Sequence, residues 1–200
     1  MKKYEFTGET KRVELWNRTA TLHRIKATVE FGFVKVGELG GWIEKEENLS
    51  HEGKAWVCGD AKVWGNAKVW GNAKVCDDAK VWGNAKVWGN AKVCGDAKVC
   101  GDAKVCDDAK VWGNAKVCGD AEVFLASHVL VMGSVGSRND FTTFFRDKDN
   151  EITVKCGCFL GKIDKFLEKV TQTHGNNKYA LVYRAAVEVA KLQIELTERK

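Results

Sequence analysis

The chain has 200 residues, 44% hydrophobic and 30% charged, a balance that excludes disorder and allows one large domain or two small ones. No run approaches the roughly 20 apolar residues of a membrane helix, and no apolar stretch follows Lys2 and Lys3 as it would in a signal peptide. The expectation is a cytoplasmic protein that makes no membrane contact. Net charge is +5, but the two signs are spread evenly along the chain, which weakens a simple nucleic-acid reading.

Residues 1–44 are expected to form a small β-rich cap. The segment LHRIKATVEFGFVKVGELGGWI alternates apolar and polar residues and carries a turn-like Gly40-Gly41. Trp42 and Trp56 fall near its junction with the next segment.

Residues 45–136 are organised by a repeat of six. A valine recurs at every sixth position from Val57 to Val123, and Val129 and Val135 keep the phase. An alanine follows four residues after each valine from Val57 to Val117, so the unit reads V-[WC]-[GD]-[ND]-A-K. This period suits neither an amphipathic helix nor a coiled coil, but it suits short strands joined by tight turns. Strand side chains alternate sides, so Ala and Val share an inner face while Lys and the Trp/Cys position share the outer one. Residues 57–74 and 75–92 differ only at Gly59 against Asp77, which supports a structural unit of three hexads. Stacking such units gives three outward columns: Cys58, Cys76, Cys94, Trp112; Trp64, Trp82, Cys100, Cys118; and Trp70, Trp88, Cys106, Phe124. Lysine columns run beside them.

Residues 137–200 break the pattern after Gly133, Gly136 and Ser137. FTTFFR and EITVKC, separated by DKDN, read as a hairpin. Ile163, Phe166, Leu167 and Val170 have the spacing of an amphipathic helix that Gly175 stops. A second helix from about Asn177 carries the apolar stripe Val182, Ala185, Ala186, Val189, Leu192 and Leu196. This ββαα segment caps the repeat, forms a separate unit or dimerises.

The outward residues are the candidate binding surface: Trp64, Trp70, Trp82, Trp88 and Trp112, with Lys68, Lys80, Lys86 and Lys98. Exposed apolar patches of this kind mark partner contacts, and tryptophan with lysine also stacks bases and meets phosphates. The competing reading is that the columns pack beneath the chain's own ends or against another subunit. If the columns are free, changing Trp64 and Trp82 to Ala leaves folding intact and weakens partner binding. Six of the eight cysteines lie in the repeat phase and are expected to be reduced, with stacked neighbours close enough to oxidise. A straight column of thiols is not a tetrahedral zinc site. Cys156, Cys158 and His174 offer three metal ligands without a clear fourth. No cofactor is expected.

The repeat resembles the hexapeptide-repeat proteins, which fold as left-handed parallel β-helices with triangular coils of 18 residues. The aliphatic and small positions match, as in Val63/Ala67 and Val81/Ala85, over about residues 45–135. The chain departs from many family enzymes in placing Trp or Cys, not Gly, after the aliphatic residue. The resemblance implies a mainly β fold and a rod about 25 Å long. It also raises two activities, acyl transfer and γ-class carbonic anhydration. Both rely on histidines, and His23, His51, His128 and His174 all lie outside Val57–Val123. A polar capping role at the coil ends is expected for His51 and His128.

The ends, LHRIKATVEFGFVKVGELGGWIEKEENLSHEGKAWV and FTTFFR…VKCGCFLG…HG, resemble proteins encoded in phages and prophages. That resemblance implies a genomic setting and no reaction. The resulting expectation is a non-catalytic accessory protein that binds a host or phage protein, for instance to inhibit a host defence system. The alternatives are an acyltransferase-like enzyme, a nucleotide-signal sponge, and a structural rod. A homo-oligomer, dimer or trimer, is expected.

Overall fold

Burying one small and one medium apolar residue per hexad requires three short walls that face a narrow axis. In the computed structural model, which describes residues 1–15 and 18–196, the hexads form a parallel β-solenoid of about five turns. The last four residues of the 137–200 segment lie outside the described residues.

The chain begins with an antiparallel hairpin, β1 (Tyr4–Glu14) and β2 (Thr19–Ala27), followed by β3 (Leu39–Ile43). Twelve two-residue strands follow on three faces. The first face holds β5 (Lys62–Val63), β8 (Lys80–Val81), β11 (Lys98–Val99) and β14 (Lys116–Val117). The second holds β6 (Lys68–Val69), β9 (Lys86–Val87), β12 (Lys104–Val105) and β15 (Glu122–Val123). The third holds β4 (Trp56–Val57), β7 (Lys74–Val75), β10 (Lys92–Val93) and β13 (Lys110–Val111). Register is set coil on coil: Lys62 pairs with Lys80, and Val63 with Val81. Every Val and Ala of the hexads from Ala61 to Val123 is buried in one continuous core.

Each turn needs a residue in the left-handed region. Gly65 sits at φ 70°, and a Cβ there would come within 3.3 Å of the Gly83 backbone one coil on. Asp77 and Asp107 occupy the same position at φ 62° and 55°, a conformation that aspartate tolerates better than most residues.

The ends are built from the same sheets. β3 pairs in parallel with β5, so β1 and β2 extend the first face rather than forming a detached cap. Tyr4 and Ile25 enter the solenoid core. The Tyr4 hydroxyl donates to the Leu49 carbonyl at 2.8 Å. Lys3 Nζ donates to the Ala55 carbonyl at 2.7 Å, and burial lowers its pKa to about 8.

At the far end, β16 (Val129–Val135), β17 (Asp140–Arg146), β18 (Ile152–Cys156) and β19 (Phe159–Lys162) make an antiparallel sheet. The predicted hairpin is β17–β18, but the sheet has two further strands. Val129 and Val135 keep the repeat phase, yet they belong to β16, because VLVMGSV lacks the turn pair that would bend the chain after two residues. α1 (Ile163–His174) and α2 (Lys178–Gln193) pack on the sheet. Adjacent residues divide the labour: Phe145 closes the solenoid core, and Phe144 enters the helix-covered core.

Candidate binding surface

The nine predicted surface residues do not form one surface; they divide among the three faces. On the first face the Trp64 and Trp82 rings stack with centroids 5.1 Å apart and planes 2° from parallel. Trp64 is only 6% exposed, packed with Ala20, Leu22 and Trp42 beneath the β1–β2 hairpin, and Trp82 is partly covered beside it. The expectation of a free outward Trp64 is therefore corrected: the chain's own N-terminal strands cover it.

A cluster around Asp60 holds the hairpin down. Its carboxylate accepts from Lys11 Nζ at 2.7 Å, Lys62 Nζ at 2.8 Å and Trp42 Nε1 at 2.9 Å. Burial would raise the Asp60 pKa, but these donors outweigh it and hold the carboxyl well below the usual carboxylate range. Lys80 and Lys98 lie on the same face among Asp78, Asp96 and Asp140, so that lysine column is offset by acids.

The second face stays open. Trp70 and Trp88 stack at 5.0 Å with planes 2° from parallel, and both remain partly exposed. Lys86, Lys104 and Arg146 join them around a hollow of about 400 Å³. A second hollow of about 400 Å³, lined by Glu46, His51 and Lys68, adjoins at Trp70. Lys104 pairs with Glu122 at 2.7 Å, whereas Lys68 and Lys86 have no ion-pair partner among the described residues. Arg146 was not singled out from sequence. It lies over the Phe124 ring at 4.8 Å and donates to the Glu122 carbonyl at 3.2 Å. Glu122, an acid where the hexads carry lysine, was the signal that could have located this end of the groove.

The third face carries Trp112, 58% exposed, with Lys110 Nζ 5.5 Å from its ring centroid. Neither a scan against protein-family models nor a search of curated proteins finds a match for the chain. What the site does must therefore be argued from its own residues.

The cysteine columns behave as stacked neighbours. Cys58 is joined to Cys76, and Cys100 to Cys118, each with Cα atoms 4.6 Å apart. Strand stacking brings these backbones within disulfide range, the closeness expected of stacked neighbours. Cys94, Cys156 and Cys158 are free thiols.

Cys156, Cys158 and His174 line one hollow of about 230 Å³ with Tyr183. Two of them have other polar neighbours. Thr142 Oγ1 donates to Cys156 Sγ at 3.3 Å, and His174 Nε2 lies 3.4 Å from Ser137 Oγ. Burial and the neighbouring Cys156 push the Tyr183 hydroxyl up. Among the described residues no group of three or more His, Cys, Asp or Glu is arranged to hold a metal ion.

The two histidines at the coil ends hold backbone. His51 Nδ1 accepts from the Lys3 amide at 3.2 Å and its ring stacks on Tyr4. His128 Nδ1 accepts from the Phe124 amide at 3.2 Å, and burial, with Arg146 nearby, lowers its pKa. No helix among the described residues is long and apolar enough to cross a membrane.

Proposed function

We propose that the protein is a non-catalytic accessory protein that binds a host or phage protein through the second face of the solenoid, in the cytoplasm of an infected or lysogenic bacterium. One observation carries this reading: Trp70 and Trp88 form a flat, half-exposed aromatic step, flanked by Lys68 and Lys86, which have no ion-pair partner among the described residues. Such a surface fits a partner with an apolar contact ringed by acidic side chains, since tryptophan anchors dominate interface energies and charge complementarity steers the encounter. The phage setting, the left-handed hexapeptide family and inhibition of a host defence system rest on the sequence resemblance.

The test is co-purification from an infected host with the wild-type chain, the double variant Trp70→Ala/Trp88→Ala, and Trp112→Ala. A partner retained by the wild type and Trp112→Ala but lost by the double variant supports the proposal. A partner held equally by all three overturns the choice of face.

Self-association is a second reading with its own observation. The buried side of α2 is Ala180, Tyr183, Ala186, Val187 and Ala190, while Val182, Val189 and Leu192 are left exposed on the other side. Val182 and Val189 are seven residues apart and Leu192 follows three later, the a and d spacing of a short coiled-coil seam, which makes a second α2 the partner it fits.

A further inference from the structure

A separate hollow lies on the third face, where residues 31–34 fold over the first coils. Phe31 and Val34 bridge each other in a tight turn, so Phe33 is carried at its tip, 89% exposed. The hollow measures about 520 Å³, larger than either hollow on the second face and within the range of small-molecule sites. One wall is apolar: Phe31, Phe33, Val34 and Trp56. The lining also carries Lys54, Lys74 and Lys92, against a single carboxylate, Glu38. None of these three ammonium groups has an ion-pair partner among the described residues, although Lys74 Nζ lies 4.7 Å from the Phe33 ring centroid.

A second observation is independent of the lysines. Trp56 is 3% exposed, and its buried Nε1–H has no acceptor among the described residues. Buried indole donors normally find one, as Trp42 does in Asp60 at 2.9 Å. The lining therefore combines aromatic faces with an excess of positive charge, and it includes a tryptophan whose buried Nε1–H has no acceptor among the described residues.

We propose that this hollow binds a small organic anion with a flat ring and a phosphate monoester, the chemistry of a mononucleotide. The ring lies against Phe31 and Phe33, and the phosphate meets Lys74 and Lys92. Three lysines against one carboxylate favour a dianion over a monoanion. The proposal does not depend on the second-face reading, because Trp70 and Trp88 take no part in it.

The probe is adenosine monophosphate titrated into the full chain, read by calorimetry and by the indole ¹H–¹⁵N resonances. Adenosine and inorganic phosphate serve as its two halves. Saturable binding tighter than either half is expected, with a shift of the Trp56 Nε1–H resonance. The Lys74 and Lys92 side chains make no ion pair among the described residues, so for Lys74→Gln/Lys92→Gln the melting temperature should hold while affinity falls at least tenfold. Phe33→Ala should lower affinity severalfold, and Trp70→Ala/Trp88→Ala should not change it. No binding at millimolar nucleotide would overturn the proposal. So would equal binding by Lys74→Gln/Lys92→Gln, or binding that leaves the Trp56 resonance unmoved, since either places the anion on the lysine columns at large.

Discussion

The Asp77 carboxylate accepts a hydrogen bond from the Gly95 amide at 2.9 Å, reaching one coil along the solenoid. This bond explains how an aspartate holds a turn position where its stacked neighbours Gly59, Gly95 and Gly113 are glycine: it offsets the cost of φ 62°. Asp77→Asn keeps the acceptor and tolerates the conformation, so its melting curve should match the wild type. Asp77→Ala keeps the strain and loses the bond, and chemical denaturation should show a loss of about 1–2 kcal/mol.

Val81 lies between Val63 and Val99 and is fully buried. Val81→Ala removes two buried methyl groups and leaves a gap in a core only one residue deep. A loss of about 2 kcal/mol in denaturant titration is expected. Val81→Asp buries a charge with no partner and should abolish the cooperative transition seen by circular dichroism.

The two tryptophan columns should separate stability from binding. Trp64→Ala opens the cluster under the N-terminal hairpin and should cost about 3 kcal/mol. Trp70→Ala removes a ring that already faces water on one side, so about 1 kcal/mol is expected. Equal losses in thermal melts would contradict the division of faces described above.

Asp147, 3% exposed, accepts from Lys162 Nζ at 2.6 Å and Thr153 Oγ1 at 2.5 Å. Burial alone would raise its pKa, but these donors, with the Glu151 amide, bring it below the usual carboxylate range. The folded pKa is thus lower than the unfolded value of about 3.9. Its contribution is present above that value and fades as pH falls through the folded pKa. Asp147→Asn should be less stable than the wild type at pH 7, and the gap should close below about pH 4.

Leu192 is 89% exposed at the C-terminal end of the outer α2 stripe. If a second α2 covers it, Leu192→Lys should convert an oligomer to a monomer in sedimentation equilibrium without lowering the melting temperature measured at low concentration. A wild-type chain that sediments as a monomer at high micromolar concentration would remove this reading.

How much of this was legible depended on the range of the interactions. The hexad is a local code: alternation places Val and Ala inward, and the Gly-Asn or Asp-Asp pair makes the turn, so the solenoid and its columns followed from the residues. Which column is covered was not local. It depends on β3 joining β5 in parallel, which lays Ala20 and Leu22 over Trp64 and not over Trp70. The alternation of Ala20 and Leu22 marked an apolar side of β2 but not the face it would meet. The hollow beneath Phe33 was hidden for the same reason, because the turn at Phe31–Val34 meets Lys74 and Lys92 only after the coils have stacked.

The near-identity of residues 57–74 and 75–92 makes length an adjustable quantity in this molecule. Excising residues 75–92 would join Lys74 to Val93, a valine in the same register as the one removed, and Cys94 would fall where Cys76 had stacked on Cys58. Both ends would survive, closer together by one strand spacing of about 4.8 Å. Copying the segment would part them by the same step. Unequal crossing-over within the repeat would thus act as a ratchet on reach, changing the distance between the two ends while leaving the chemistry of each end untouched.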